Sequence, residues 1–362
     1  MELGRIGKNE CQASCDRSWS IGQHRSFYGT EGKMTMRNDH RIPSGINSLR
    51  EWLILGEVVT VAYIACIAKA ADVTGVAYLL FPELAALAYD VFTRPKGTWA
   101  RAPMMLIITP AIAAVPGIMI ERSLDYGFLS VLLSVAISLI IIKVLRSPIG
   151  PAISAGLLPV VLKVGSGWYP PAVLFGTTLL VGSLFLYRKM VFKNSRDEPH
   201  WIGFVETDVI EQLPRQYAWL PFFLVFLMIA IQLVKLTDLR FILFPPLAVI
   251  GYEMFAHSDS CPWAYKPIML PIVCTVAALG GTVAILFLGT GPFSAMIAVS
   301  IALAICRVFS VYIPPAAAVS LLPFVTSHPN FMLPLSVGAG TALLGLSFYS
   351  YHFFFLRTRK IL

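Results

Sequence analysis

Two basic residues stand beside proline-containing apolar segments, and this combination is suited to attracting an anion. Lys143 precedes one such segment and Arg307 precedes the other. The prolines, spaced eight residues apart in each segment, are Pro151 and Pro159 in one and Pro315 and Pro323 in the other. The first proline opens a helix, whose N-terminus carries partial positive charge, and the second is expected to break it. The pattern predicts an anion-attracting site at membrane depth.

Both basic residues have a second interpretation. Each lies near a predicted membrane edge, where a long basic side chain can extend to lipid phosphates without forming a site. Their matched positions in the two halves of the chain favour the anion site. The sequence leaves both interpretations open.

Further polar residues mark one helix end in each half. They are Tyr89, Asp90, Tyr252 and Glu253. Because basic loops are close by, the two acids are expected to form interfacial ion pairs, with a proton relay as the alternative. Glu83 has Pro246 at its matching position, so we exclude it from a symmetric site.

The matched positions arise from an internal repeat. Residues 99–177 align with residues 263–341 without a gap, and 28 of the 79 pairs are identical. Identities that apolar composition does not explain include Trp99/Trp263, Pro103/Pro267, Gly117/Gly281 and Gly176/Gly340. In a membrane chain, such a repeat is typical of a pore or carrier built around a pseudo-symmetry axis.

The composition excludes a soluble globular protein, because 57% of the residues are hydrophobic and only 13% are charged. Apolar runs recur that are long enough to cross about 30 Å of hydrocarbon. We therefore predict an all-α polytopic protein in a lipid bilayer, with about 10–12 transmembrane segments. These form two parallel tandem repeats with a proline-broken short helix in each, and a homo-oligomer is compatible with them.

The chain divides into four parts. Residues 1–50 are predicted to be a disordered, cytoplasmic polar tail, and residues 51–187 the first membrane repeat. Residues 188–218 form a cytoplasmic linker, and residues 219–362 the second membrane repeat. Within the linker, residues 204–213 suit a helix on the membrane surface or, equally, a solvated loop.

Basic clusters orient the predicted segments. Lysine and arginine are enriched on the cytoplasmic side of membrane proteins. Six crossings in each half place every basic cluster on that side, so both halves face the same way. We expect the cell membrane as the location, with both termini cytoplasmic.

Several classes of function lack their sequence signals. There is no phosphate loop, nucleophile elbow or zinc-protease motif, so we predict no enzyme and no cofactor. Cys11 and Cys15 have metal-like spacing but no partner pair, so no metal site is expected. His257 is predicted to be a solvated loop residue. The net charge of +8 comes from helix ends and loops and does not indicate nucleic-acid binding.

Three stretches carry a resemblance to a known family. They are residues 243–248 (Leu-Phe-Pro-Pro-Leu-Ala), 262–267 (Pro-Trp-Ala-Tyr-Lys-Pro) and 313–322 (Ile-Pro-Pro-Ala-Ala-Ala-Val-Ser-Leu-Leu). With them, each half resembles one unit of the HPP integral membrane family, named for a His-Pro-Pro motif. The resemblance covers residues 81–180 and 244–344.

The resemblance implies a small helical membrane unit, and a nitrite-transporting role is proposed for plastid members of that family. Here the motif histidine is replaced by Ile313, and by Ile149 in the first half. This replacement argues against nitrite as the solute and against proton coupling through that position.

Together these patterns predict a membrane transporter or channel for a small solute, an anion in preference to a cation. Its path would lie at the interface of the two repeats. A non-transporting scaffold, assembly factor or sensor is the alternative, in which small-residue runs at residues 111–117 and 277–281 are helix-packing faces. A lipid-processing membrane enzyme is the third interpretation.

Overall fold

The computed structural model describes residues 49–191, 217–258, 260–326 and 329–356. Within these residues the chain forms thirteen α-helices and no strand, which confirms the all-α prediction. Residues 1–48, most of the linker with residues 204–213, and the basic C-terminal residues 357–362 lie outside the described part. The predictions for the polar tail, for Cys11 and Cys15 and for the linker helix therefore stay predictions.

The helices follow the same order in the two halves. The first half contains α1 (Leu49–Thr74), α2 (Glu83–Thr93), α3 (Thr98–Arg101), α4 (Pro103–Ser123), α5 (Phe128–Val144), α6 (Ala152–Leu162) and α7 (Tyr169–Val191). The second contains α8 (Leu220–Thr237), α9 (Pro245–Ala256), α10 (Met269–Leu288), α11 (Pro292–Val308), α12 (Pro314–Leu321) and α13 (Met332–Tyr351). Single 3-10 turns precede α2 and α9, at Ala77–Leu79 and Arg240–Leu243, and Pro262–Tyr265 takes the place of α3. A π-helical turn, His352–Leu356, extends α13.

Six of the described helices are long and apolar enough to cross a membrane. They are Glu51–Thr74, Pro103–Ser123, Tyr169–Val191, Leu220–Thr237, Met269–Leu288 and Met332–Phe354. Shorter apolar helices are Phe128–Val144, Ala152–Leu162, Pro292–Val308 and Pro314–Val325. The chain is therefore a multi-pass helical membrane protein.

Two predicted segments differ from the structure. The apolar patterns of residues 74–92 and 241–255 each predict one continuous segment, but in the structure each forms a 3-10 turn followed by a short helix. Gly75 has a left-handed φ of 70° where α1 ends, and Pro82 has no N–H to continue a helix from the turn. With eleven residues α2 is about 16 Å long, roughly half of the hydrocarbon thickness.

Contacts between helix ends define two faces of the molecule. The indole Nε1 of Trp52, in the first turns of α1, donates a hydrogen bond to the Thr93 carbonyl at the end of α2, at 3.3 Å. Arg188 near the end of α7 donates to the carbonyl of Ala100 in α3, at 3.4 Å. We call the face that holds these ends the proximal face, and the opposite one the distal face.

The second half begins and ends at the proximal face as well. Phe222 in α8 and Tyr351 at the end of α13 have ring centroids 5.0 Å apart. The start of α8 meets the end of α5, and the α5–α6 loop is tied to the first turns of α4 by a hydrogen bond from Thr109 to Ser147, at 2.8 Å. Both halves therefore run in the same direction through the molecule.

The buried core consists of two apolar clusters, and each combines both halves. One cluster packs α8, α9, α10 and α13 against faces of α5 and α6. The other packs α1, α2, α4 and α7 against faces of α11 and α12. Because lipid tails are as apolar as these faces, close van der Waals packing rather than the hydrophobic effect favours helix association here. The two halves are consequently interlocked.

Candidate functional site

Four short helices occupy the centre of the molecule. All residues of α2 and α12 are buried, and in α6 and α9 burial is nearly complete. The six long helices, in contrast, bury only 33–56% of their most apolar stretches and so form the outer ring. Among the short helices, α2 contacts α12, α12 contacts α9, and α9 contacts α6.

The prolines predicted to line a path lie in two of these short helices. Pro151 immediately precedes α6, and Pro315 is the second residue of α12, as expected for prolines that open a helix. Pro159, however, lies inside α6, which continues to Leu162, so the predicted break at that proline is wrong. In the second half α12 does end at Leu321, and Pro323 lies in a 3-10 turn, Leu322–Val325.

The Tyr169 side chain supplies a hydrogen-bond donor that Pro159 inside α6 lacks. Pro159 has no N–H for the carbonyl of Ala155, and the Tyr169 hydroxyl donates to that carbonyl instead, at 2.9 Å. The second half has Leu333 at the position of Tyr169. There the carbonyl of Val319 accepts the N–H of Leu322, which tightens the last turn.

We expect Tyr169→Phe to lower the free energy of unfolding by about 1–2 kcal/mol, because the buried Ala155 carbonyl then has no donor. Ring packing against Phe81, at a centroid distance of 6.1 Å, is retained in phenylalanine. Thermal unfolding in detergent measures the change. Tyr78→Phe, which also keeps its edge-on ring contact with Tyr169, is the control. Equal melting temperatures for wild type and Tyr169→Phe would contradict this account.

Lys143 and Arg307 lie at the proximal ends of α5 and α11, and both are exposed. Arg307 forms an ion pair with Glu57 of α1. The ammonium of Lys143 lies 5.1 Å from the ring centroid of Tyr217, just before α8. The structure therefore does not bring the two cations together: Arg307 has a neighbour in the first half, and Lys143 has one at the end of the linker.

Asp90 connects the end of α2 to the loop before α12. Its side chain is only 2% exposed and forms a salt bridge with Arg94. The Arg94 Nε donates to Asp90 Oδ1 at 2.9 Å, and the Tyr312 hydroxyl donates to the same oxygen at 2.8 Å. The rings of Tyr89 and Tyr312 lie 5.2 Å apart, and the Arg94 guanidinium lies 4.5 Å from the Tyr312 ring centroid.

Glu253 occupies the matching place at the end of α9. Its Oε2 is 3.0 Å from Nδ1 of His257, which is buried and not the solvated loop residue that the sequence suggested. Its Oε1 lies against Gly150, in the loop before α6, so closely that a Cβ at position 150 would collide with it. Tyr252 packs edge-on against Trp219, at 5.7 Å between centroids.

The two acids thus make crossed contacts. Asp90 of the first half holds the loop before α12, and Glu253 of the second half touches the loop before α6. These two loops lead into the two proline-containing short helices. An acid of each half therefore helps to position the central short helix of the other half.

Glu83, at the start of α2, is the polar residue that the repeat comparison excluded. Its side chain is fully enclosed, with 2% of the residue exposed. Ser154 in the first turn of α6 donates a hydrogen bond to Glu83 Oε1, and this contact closes the ring of short helices. Glu83 Oε2 has no hydrogen-bond partner among the described residues.

The environment of Glu83 disfavours a negative charge. Removing a carboxylate from water costs several kcal/mol even after local relaxation. The N-terminus of α2 offsets at most about 2 kcal/mol of that cost. No salt-bridge partner faces this carboxyl among the described residues. A bound proton would remove the charge.

One sequence signal could have identified this pair. In the second half the positions of Glu83 and Ser154 are held by Pro246 and Ala318. Both polar partners are therefore absent together, as expected if they act as a unit. The joint absence of Glu83 and Ser154 becomes visible only when the two positions are compared as a pair.

In the described part of the chain, no group of three histidine, cysteine or carboxylate side chains is arranged to hold a metal ion. Cys261, Cys274 and Cys306 are buried free thiols, and Cys66 is exposed. Small buried cysteines of this kind serve as packing residues.

Comparison with known proteins identifies no relative of this chain. No family model, no curated protein and no solved structure matches the chain.

Proposed function

We propose that this protein is an integral membrane transporter or channel for a small solute, with the path among α2, α6, α9 and α12. The observation that carries the proposal is the ring of four buried short helices inside an outer ring of long ones. Helices that end at membrane depth leave polar backbone groups there, which is tolerated inside protein or along a solute path. A simple packed bundle has no need of such ends.

The charge at the proximal face favours an anion as the solute. Lys143 and Arg307 lie at matched positions, one beside each loop that leads to a proline-containing short helix. Glu57 offsets part of the charge of Arg307. The remaining positive charge would raise the local concentration of anions at the entrance.

We expect a double variant, Lys143→Ala with Arg307→Ala, to reduce anion flux into proteoliposomes about tenfold at low salt, since electrostatic attraction has effects of that size or larger. The probes are chloride, nitrate and phosphate, each followed with an anion-sensitive dye or a radiolabel. The difference between wild type and variant is expected to shrink as ionic strength rises, because salt screens exposed charges.

The matched control is Lys69→Ala with Lys235→Ala. These two lysines are also exposed, also occupy corresponding positions of the halves, and lie at the distal ends of α1 and α8. Equal losses of anion flux in both double variants would contradict a role for Lys143 and Arg307. Absence of flux for every probe in the wild-type protein would contradict transport itself.

A non-transporting scaffold, assembly factor or sensor is the second candidate. Gly117 and Gly281 in the small-residue runs pack against α6 and α12, which suits either candidate. A folded protein without flux would favour the scaffold. A lipid or prenyl substrate bound to the purified protein would favour the lipid-processing enzyme over our proposal of a non-enzymatic protein.

We also propose the cell membrane as the location, with the proximal face cytoplasmic. The basic residues Lys143, Arg146 and Arg188 at that face support this orientation. The resemblance to the HPP integral membrane family belongs to the same proposal, because that family's units are small helical membrane proteins.

A further inference from the structure

The buried Glu83–Ser154 pair lies between the two faces of the molecule. Glu83 begins α2, whose other end lies at the proximal face, so about 15 Å of helix separates the carboxyl from that face. Ser154 lies in the first turn of α6, which runs on toward the distal face. The pair therefore stands where the N-terminal ends of two short helices meet.

The groups around this carboxyl limit what it can bind. The α6 and α12 helices contain no titratable side chain. Tyr169 of α7 carries a neutral phenol at ordinary pH, and its hydroxyl is already donated to the Ala155 carbonyl. From α1 and the turn before α2, the titratable groups nearest in sequence are Tyr78, Asp72 and Lys69. Lys69 is exposed and paired with Asp72, and neither forms a salt bridge with Glu83 among the described residues.

A metal cation fits this site poorly. Hard cations take about six oxygen ligands, with carboxylates preferred. The described residues supply the carboxyl of Glu83 and the hydroxyl of Ser154. A proton, in contrast, needs one free lone pair, which Oε2 of Glu83 offers.

We propose that Glu83, positioned by Ser154, is a proton-binding site located at the junction of α2 and α6. A proton from water adds to a lone pair of Oε2, the carboxylate becomes a neutral acid, and release reverses the step. Because Pro246 and Ala318 replace the pair in the second half, this site has no symmetric copy and binds a single proton. The coupling of this proton to solute movement rests on the proposed transport function, whereas the proton site itself does not.

Infrared spectroscopy of the full chain in proteoliposomes tests the proton site. A neutral carboxylic acid has a C=O band separate from the amide bands. We expect this band in the wild-type protein, its loss in Glu83→Gln, and no change in Asp72→Asn, where the acid is exposed and paired with Lys69. Ser154→Ala keeps the acid but removes its hydrogen bond, so the band should shift in frequency.

If the Glu83→Gln variant does not fold, the frequency shift of the C=O band in Ser154→Ala decides whether Glu83 carries the proton. A band that persists in Glu83→Gln, or that does not respond to Ser154→Ala, would overturn the proton site.

Flux measurements then test the coupling separately. We expect a pH gradient to stimulate solute flux in the wild type, and that stimulation to fall at least about tenfold in Glu83→Gln, as expected for loss of an essential proton-transfer group. Undiminished stimulation in Glu83→Gln overturns the coupling and leaves transport intact. Absence of wild-type flux overturns the transport function, and the infrared band alone then decides whether Glu83 binds a proton.

Discussion

Gly281→Ala is expected to lower the free energy of unfolding by about 3 kcal/mol or more, the upper range for overpacking of a rigid core. In the structure α10 lies so close to α12 that a Cβ at position 281 would be nearer than 3.0 Å to the carbonyl oxygen of Ser320. That oxygen belongs to the backbone of a fully buried helix, so a side-chain rotation cannot relieve the collision. Thermal unfolding and gel filtration in detergent measure the loss.

The chain provides a repeat and a control for this experiment. Gly117 of α4 meets the carbonyl of Gly156 in α6 in the same way, so Gly117→Ala should be equally damaging. Gly182 of α7 is helical and exposed, with open space of at least 4 Å around the position that a Cβ would occupy. Gly182→Ala should be neutral or slightly stabilising, because alanine is the better helix former. Similar melting temperatures for Gly281→Ala and Gly182→Ala would refute the close approach of α10 and α12.

Asp90→Ala is expected to lower the free energy of unfolding by about 2–3 kcal/mol. The variant removes a charge-assisted contact with Arg94 and the acceptor of the Tyr312 hydroxyl. Loss of one partner of a wholly buried ion pair costs about 3–5 kcal/mol. Here Arg94 is 39% exposed, so water screens part of the unpaired charge and the expected loss is smaller.

A double-mutant cycle separates the two contacts of Asp90. Asp90→Ala and Tyr312→Phe, measured alone and together, give the coupling across the halves, which we expect at about 1 kcal/mol. Glu253→Gln, at the matching position of the second half, is the comparison, because the Glu253 side chain is hydrogen-bonded to His257 of its own half. A coupling of zero would mean that the Asp90–Tyr312 hydrogen bond does not hold the loop before α12.

The fold was largely predictable from apolar patterning. Every apolar segment identified in the sequence contains a helix in the described part of the chain, because lipid leaves backbone groups no other partners. The helix breaks were less predictable. Pro159 does not end α6, and Tyr169, ten residues later, supplies a donor for the carbonyl that this proline leaves unpaired; no local rule foresees such a tertiary contact.

The candidate site was predictable only in its symmetric part. Helix-opening prolines at residues 151 and 315 follow from local chemistry, and they begin the short helices as expected. Arg94, the ion-pair partner of Asp90, lies only four residues away, within reach of local reasoning. The partner of Arg307 and the second partner of Asp90, Tyr312, come from the other half of the chain, more than 200 residues away in sequence. Glu83 was excluded because symmetry was used as the criterion, whereas its burial is a property of the packed molecule.

The crossed contacts of Asp90 and Glu253 have a consequence for how the two halves can differ. If each half completes the core of the other, a cut between residues 192 and 216 should yield fragments that fold together and not singly. Two identical subunits in this arrangement would have to carry the same residue at both equivalent positions. Joining them in one chain removes that restriction. Position 83 can then carry an acid while the equivalent position 246 carries a proline. The molecule therefore combines a dimer-like framework with a single acid that lies off the pseudo-symmetry axis.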